Sequence, residues 1–297
     1  MEKKEVSRPD WLKLLESILT EPGKLGDYYW AFHNYSLGNQ ALAVEQLSIR
    51  GVDIGPIASF NAWKKKGRSV MKGQKAIGLW MPVTFTSKAS KDAKEGKGDK
   101  APATVVEDGV PTRIFVMRNN WFAIAQTQED PHAEPLDAPP QANDPEALPE
   151  WNQSLALEKL GISLIPFRMV NGNTQGYAYP TRKVVAISPI AAYPIKTLFH
   201  EMAHCLLHGD DDEFVCGADL DKAVKEVEAE SVAFLCSAAL SLSGLELARG
   251  YIQHWLEHAG SRDVLKKSAG RIFSAADRIL KAGLPQPIKA GTESVAA

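Results

Sequence analysis

The 297-residue sequence has little cysteine, no long apolar run and almost no net charge. Its three cysteines, Cys205, Cys216 and Cys236, are odd in number and confined to one region. That argues against a disulfide framework and for a reducing, cytosolic setting. No apolar stretch reaches the ~18–20 residues that cross a bilayer, so no membrane partner is expected. The opening MEKKEVSRPDWLKLLESILT lacks the apolar block and small-residue cleavage site of a secretory signal. Internal repeats are absent. What is present, 44% hydrophobic and 24% charged residues, suits a folded chain of roughly two domains.

The net charge of −2 hides a split. Residues 1–128 hold 19 Lys+Arg against 13 Asp+Glu, and residues 129–297 hold 15 against 23. The stretch 60–100 alone has 11 basic and 3 acidic residues. Such asymmetry suggests that one half meets a polyanion and the other does something else.

Apolar spacing predicts a short amphipathic helix over 8–20 and a second over 39–50, ended by Gly51. Ser59 is placed to cap a helix over 60–66, and Gly67 to stop it. A turn at 72–75 leads into a strand over 76–85. Residues 87–112 are polar and Lys-rich and read as a mobile hairpin loop. Residues 113–127 read as two strands around Arg118-Asn119-Asn120, or one strand with a bulge. Six prolines and seven acids in 129–150 mark a linker. Beyond it the pattern predicts a helix at 151–160, a strand at 162–170, the turn NGNTQG, a hairpin over 176–188, and helices at 195–208, 219–243 and 245–282.

The chemistry is concentrated in IKTLFHEMAHCLLH, residues 195–208. His200-Glu201-Met202-Ala203-His204 is an HExxH motif. Residues four apart share a helix face, so both imidazoles can meet one metal ion. Glu201 projects past it and can take a proton from a water in the open fourth position. A third ligand must come from elsewhere. Glu226 and Glu230, four apart on a downstream helix, share a face; one can bind the metal while the other supports a ligand imidazole. Taking Glu226 as ligand gives a site of His200, His204 and Glu226 with Glu201 as base, suited to peptide hydrolysis. Glu228 lies on the opposite side of that helix and is expected in solvent. His208 is too far along the helix to share the ion with His200 and is expected outside the ligand set. Asp210, Asp211 and Asp212 are expected in solvent. Tyr177 and Tyr179 are candidates to stabilise an oxyanion, although aromatics in strands commonly pack. Cys205 and Cys236 read as small core residues.

The basic half interleaves cations and rings: Phe60, Trp63, Lys64, Lys65, Lys66, Arg68, Lys72, Lys75 and Trp80, preceded by Trp30, Phe32, His33, Asn34 and Tyr35. Cations can follow phosphates while aromatic faces stack on unpaired bases. No recognition helix or finger pattern of a duplex reader is visible.

The patterns FHNYSLGNQALAVEQL, SFNAWKKKGRSVMKGQKAIGLWMPV and WFAIAQTQ resemble the N-terminal single-stranded-DNA-binding domain of ArdC-type plasmid antirestriction proteins. FHEMAHCLLH followed by EVEAESVAFL resembles the zincin-like metallopeptidase domain that follows it in that family. The resemblance implies a two-domain α+β protein. Its parts are an N-terminal α+β DNA-binding domain (1–128), a linker (129–150) and a C-terminal gluzincin-like zincin domain (151–297). It further implies sequence-independent binding of single-stranded DNA and protection of incoming plasmid DNA from restriction in the cytoplasm of the bacterial recipient during conjugation. His200, His204 and Glu226 match the family's metal ligands, Glu201 its base and Glu230 its supporting residue. DNA contacts are implied for the region 60–75: Trp63, Lys64, Lys65, Lys66, Arg68, Lys72 and Lys75. The implied cofactor is one divalent ion, zinc first and manganese as the alternative. Glu228 departs from the pattern, since an apolar residue is expected there. Two other readings fit the same residues. One is a metalloprotease that cleaves a restriction subunit or DNA-bound regulator, with DNA as a tether. The other is a DNA-coating protein whose metal is structural.

Overall fold

The computed structural model describes residues 9–20, 25, 29, 35–85, 112–131, 150–169, 174–209, 222–246, 249–250, 252 and 261–285. Most of the expected loop 87–112 and linker 129–150 lies outside the described residues, as do Trp30, Phe32, His33, Asn34, Asp210–Asp212 and Cys216.

Helix α1, Trp11–Thr20, is followed by α2, Leu37–Ile49, whose first turn is capped by the Ser36 hydroxyl accepting from the Asn39 amide. Gly51 takes φ 62° just beyond the end of α2, a conformation that favours glycine. Ser59 ends strand β1, Ile57–Ser59, and caps α3, Phe60–Lys65, by accepting from Ala62 N–H at 3.3 Å. Strand β2, Arg68–Val70, follows. The long strands β3, Ile77–Phe85, and β4, Thr112–Ala123, pair antiparallel with a register shift at Ile77/Gly78. The single bulged strand is therefore the correct alternative for 113–127. Strand β5, Thr127–Glu129, pairs with β2.

The first sheet has the order β1-β4-β3, leaving β3 at an edge. Helix α2 covers that edge with two side-chain amides. Asn39 donates to the Trp80 carbonyl at 3.1 Å and accepts from Trp80 N–H at 2.7 Å. Gln46 does the same for Gly78, at 2.8 and 2.9 Å. Each amide imitates a neighbouring strand, so buried backbone groups are satisfied and the edge is blunted.

Beyond the proline-rich stretch, α4 is Gln153–Leu160, capped by the Asn152 side chain and closed by Gly161 at φ 65°. Strands β6 (Ser163–Leu164), β7 (Gly176–Tyr179) and β8 (Val184–Ile187) form a sheet in the order β6-β8-β7. The strand expected over 162–170 is a correction: its ladder stops at Leu164, with one more bond from Ile165 N–H to Val185 O. Pro166 follows and has no N–H to continue it. The hairpin expected over 176–188 forms, with Gly176 opposite Ile187 and Tyr179 opposite Val184. Three long helices follow: α5, Pro194–Leu207; α6, Lys222–Ala239; and α7, Ser261–Ala282.

The chain is thus of mixed α+β class. One core cluster runs from Leu12, Leu15 and Leu37 through Phe199 and Met202 to Phe234, Ile272 and Ile279. Helices α1 and α2 therefore share a core with α5, α6 and α7. The Leu37 amide also donates to Asp277 of α7 at 2.9 Å. A second, smaller cluster, including Leu47, Ile77 and Leu79, lies between α2 and the first sheet.

Candidate metal centre

Helix α5 begins with Pro194 at its first position, where a missing N–H costs nothing. Leu198, Phe199, Met202, Ala203, Cys205 and Leu207 are buried on it, and Phe199 meets Trp151 edge to face with centroids 4.9 Å apart. This anchored face turns His200 and His204 toward a cavity of about 530 Å³, which Gly176, Tyr177, Lys196, Glu201, Glu226 and Glu230 help to line.

The two Nε2 atoms are 3.1 Å apart. Glu226 reaches in from α6, with Oε2 3.4 Å from His200 Nε2 and Oε1 3.8 Å from His204 Nε2. Donor atoms about 2.0–2.1 Å from a tetrahedral ion lie roughly 3.3 Å apart. The three separations bracket that value, and two imidazoles with one carboxylate suit zinc or manganese. The donor set fits a divalent cation with one side open to the cavity.

Glu201 is only 6% exposed. Burial and the Glu226 charge push its carboxyl up to about 7, against the His200 charge. Burial disfavours the charged form of His200, but hydrogen bonds to Glu226 and Glu230 and the charges of Glu201 and Glu230 prevail and raise it to about 9. His204 is held well below its ordinary value by burial and by its histidine neighbours. Glu226 is held low chiefly by the His200 hydrogen bond.

Glu230 accepts from His200 Nδ1 at 3.0 Å and from Lys196 Nζ at 2.5 Å. Burial raises it, yet those partners bring it below the usual carboxylate range. It stands where a support for His200 is expected. Lys196 was not singled out from sequence; its place four residues before His200, on the same face, is the signal that could have found it.

Glu228 corrects an expectation. It is not in solvent but fully buried, at 0% exposure. Its Oε2 lies 2.9 Å from His208 Nε2, and its Oε1 lies 3.9 Å from Arg271 Nη1 of α7. The face of α6 opposite Glu226 packs on α7 rather than meeting water, which helical spacing alone does not reveal. Burial opposes its charge, but bonds from His208 and Ser268 and the Arg271 charge hold its pKa low. His208, outside the ligand set as expected, places Nδ1 2.8 Å from His204 Nδ1.

Gly176 was also missed. A Cβ there would stand 2.8 Å from both Glu201 Oε1 and Thr197 Cγ2, so only glycine lets β7 approach Glu201 this closely. Tyr177 lines the cavity; Tyr179, 48% exposed, does not. Cys205 and Cys236 are buried as expected, and burial pushes the Cys205 thiol up to about 12, which leaves it unreactive.

In the basic half, Lys64, Lys65, Lys66, Lys72 and Lys75 are exposed. Arg68 is tied to Thr127, donating from Nε to Oγ1 at 2.8 Å and from Nη2 to the carbonyl at 3.2 Å. Trp63 corrects the expected DNA-contact set. It is 1% exposed, and its indole N–H donates to Phe122 O at 2.8 Å. It is a core residue whose ring cannot stack on a base. Exposed rings lie elsewhere: Phe60 and Phe115 are each 49% exposed, and Phe115 stacks on Trp80 with centroids 6.4 Å apart.

Residues 20–116 match the family described as the N-terminal domain of anti-restriction factor ArdC. This segment is similar to that domain. The resemblance read from FHNYSLGNQALAVEQL and SFNAWKKKGRSVMKGQKAIGLWMPV is therefore borne out. Two solved structures of the antirestriction ArdC protein from plasmid R388 are similar to the chain. The metal-free form is 19% identical, with a TM-score of 0.46 over 92% of this chain and 94% of that one. The Mn(II)-bound form is 17% identical, with a TM-score of 0.48 over 94% of this chain and all of the other. No curated protein matches. Among the described residues, no helix is long and apolar enough to cross a membrane.

Proposed function

We propose that this chain is an antirestriction protein that binds single-stranded DNA through its N-terminal half and carries a metal-dependent, zincin-like peptidase site in its C-terminal half. The division follows the sequence, with the DNA-binding part over 1–128 and the peptidase part over 151–297. The observation that carries the second part is the convergence of His200, His204 and Glu226 beside a buried Glu201. The R388 relative has a Mn(II)-bound form, which supports a divalent ion here; the donor set suits zinc equally.

His200, His204 and Glu226 would hold the ion, and Glu230 orients His200 through Nδ1. When bound, such an ion lowers the pKa of water and polarises a carbonyl. Glu201, poised near neutrality, takes the proton of the attacking water and returns it to the leaving amine. Strand β7 lies at the edge of its sheet beside the cavity, so its main chain can pair with an extended peptide and align the scissile bond. Tyr177, which lines the cavity, offers a hydroxyl that can steady the developing oxyanion. The N-terminal half offers five exposed lysines to phosphates and the rings of Phe60 and Phe115 to bases.

Plasmid transfer into restricting and non-restricting recipients tests the whole reading. Parent protein is expected to raise transfer selectively into the restricting host. Joint replacement of Lys64, Lys65 and Lys66 by Ala is expected to abolish that protection. Protection that survives Glu201→Gln separates antirestriction from proteolysis, whereas its loss favours the protease reading. Protection unchanged by the triple lysine replacement contradicts the DNA-binding assignment.

A further inference from the structure

We infer that His208 and Glu228 form a positioning pair that fixes which nitrogen of His204 faces the metal; the inference rests on the metal-site reading above. The two Nδ1 atoms of His204 and His208 are 2.8 Å apart. At that distance one carries the hydrogen and the other accepts it. Glu228 decides which. Its Oε2 sits 2.9 Å from His208 Nε2, and a carboxylate only accepts, so His208 carries its hydrogen on Nε2. An imidazole that gives its Nε2 lone pair to a cation keeps its hydrogen on Nδ1, so His204 as a ligand donates from Nδ1, and His208, with its own hydrogen given to Glu228 from Nε2, presents Nδ1 to accept it. His204 Nε2 is left with its lone pair, aimed at His200 Nε2 and Glu226.

The opposite tautomer of His204 would put a hydrogen where a cation must sit. The pair is sealed from water, with side-chain exposures of 2% for His208 and 0% for Glu228. Water therefore cannot supply an alternative partner. Arg271 locks the arrangement from α7: Nη2 donates to Leu207 O at 2.8 Å, at the end of the helix that bears both ligands, and Nη1 faces Glu228. His200 has a conventional carboxylate support in Glu230. His204 has instead a histidine backed by a carboxylate, and the acid at position 228, unexpected from sequence, has its reason here.

Two polar substitutions separate positioning from packing. Asparagine at 208 puts an accepting oxygen near the place of Nδ1 but cannot reach Glu228. Glutamine puts its amide near the place of Nε2 and leaves His204 without an acceptor. With the full chain and Zn2+ as probe, affinity is read by competition with a chelator and stability by thermal melting. His208→Asn is expected to keep affinity within about threefold while lowering Tm. His208→Gln is expected to hold Tm better yet lose roughly 10–100-fold in affinity. Long-range 15N–1H NMR of the chelator-treated parent is expected to show His208 protonated on Nε2 and bare on Nδ1. Parent-like affinity in His208→Gln, or a hydrogen on His208 Nδ1, overturns the inference alone. A parent chain that takes up no Zn2+ overturns the metal reading itself and this inference with it.

Discussion

At the scale of single residues, burial decides what each ionisable group does. Glu201 has its carboxyl raised from 4.5 to about 7, so the folded chain holds that proton more tightly than the unfolded one. The favourable contribution is complete below 4.5 and is lost as pH rises through 7. Chelator-treated Glu201→Gln should therefore equal the parent at pH 4 and exceed it by about 1–3 kcal/mol above neutrality. Urea denaturation across that range checks it, and a pH-independent difference contradicts it. Gly176→Ala drives a methyl into Glu201 and Thr197; a loss of about 1–3 kcal/mol is expected, and parent-like stability would show that β7 can move away. The HExxH spacing made His200, Glu201 and His204 legible, and four-residue spacing did the same for Glu226 and Glu230. Glu228 was misread because helical spacing tells which residues share a face but not what that face meets. Gly176 carried no signal, since the requirement for glycine comes from a strand and a helix meeting across the fold.

At the scale of elements, caps and glycines were the legible features. Ser59, Gly51 and Gly67 mark the ends of elements where local chemistry requires them. The edge cover of β3 was not legible, because Asn39 and Gln46 are unremarkable helix residues until a strand lies beside them. Trp63 shows the same limit, since an aromatic among lysines reads equally as a stacking ring or a core ring. Its burial predicts that Trp63→Ala costs about 3–5 kcal/mol of stability. Phe60→Ala and Phe115→Ala should leave stability within about 0.5 kcal/mol and weaken single-stranded DNA binding by about 1–3 kcal/mol each. Denaturation curves beside fluorescence anisotropy with an oligonucleotide separate the two classes. Tight DNA binding by both Phe variants would remove those rings from the interface.

At the scale of the whole molecule, the charge split and the linker composition suggest two halves, yet α1 and α2 pack into the core that holds the metal-site helices. The long-range contacts that join them, such as Leu37 N–H to Asp277, are invisible to local patterns. The basic half should bind single strands in preference to duplex, with affinity falling as salt rises. Replacing Lys64, Lys65 and Lys66 together should flatten the log–log salt dependence by about 2 in slope, and an unchanged slope contradicts their phosphate role. The proposed peptidase activity depends on a single property, capture of one cation by side chains from α5 and α6. Metal analysis of the purified chain, with Zn2+ or Mn2+ added and excess removed, measures this directly. One tightly held ion per chain is expected, falling to none when His204 and Glu226 are both replaced by Ala. A parent chain that retains no ion, or a double variant that holds as much as the parent, contradicts the site.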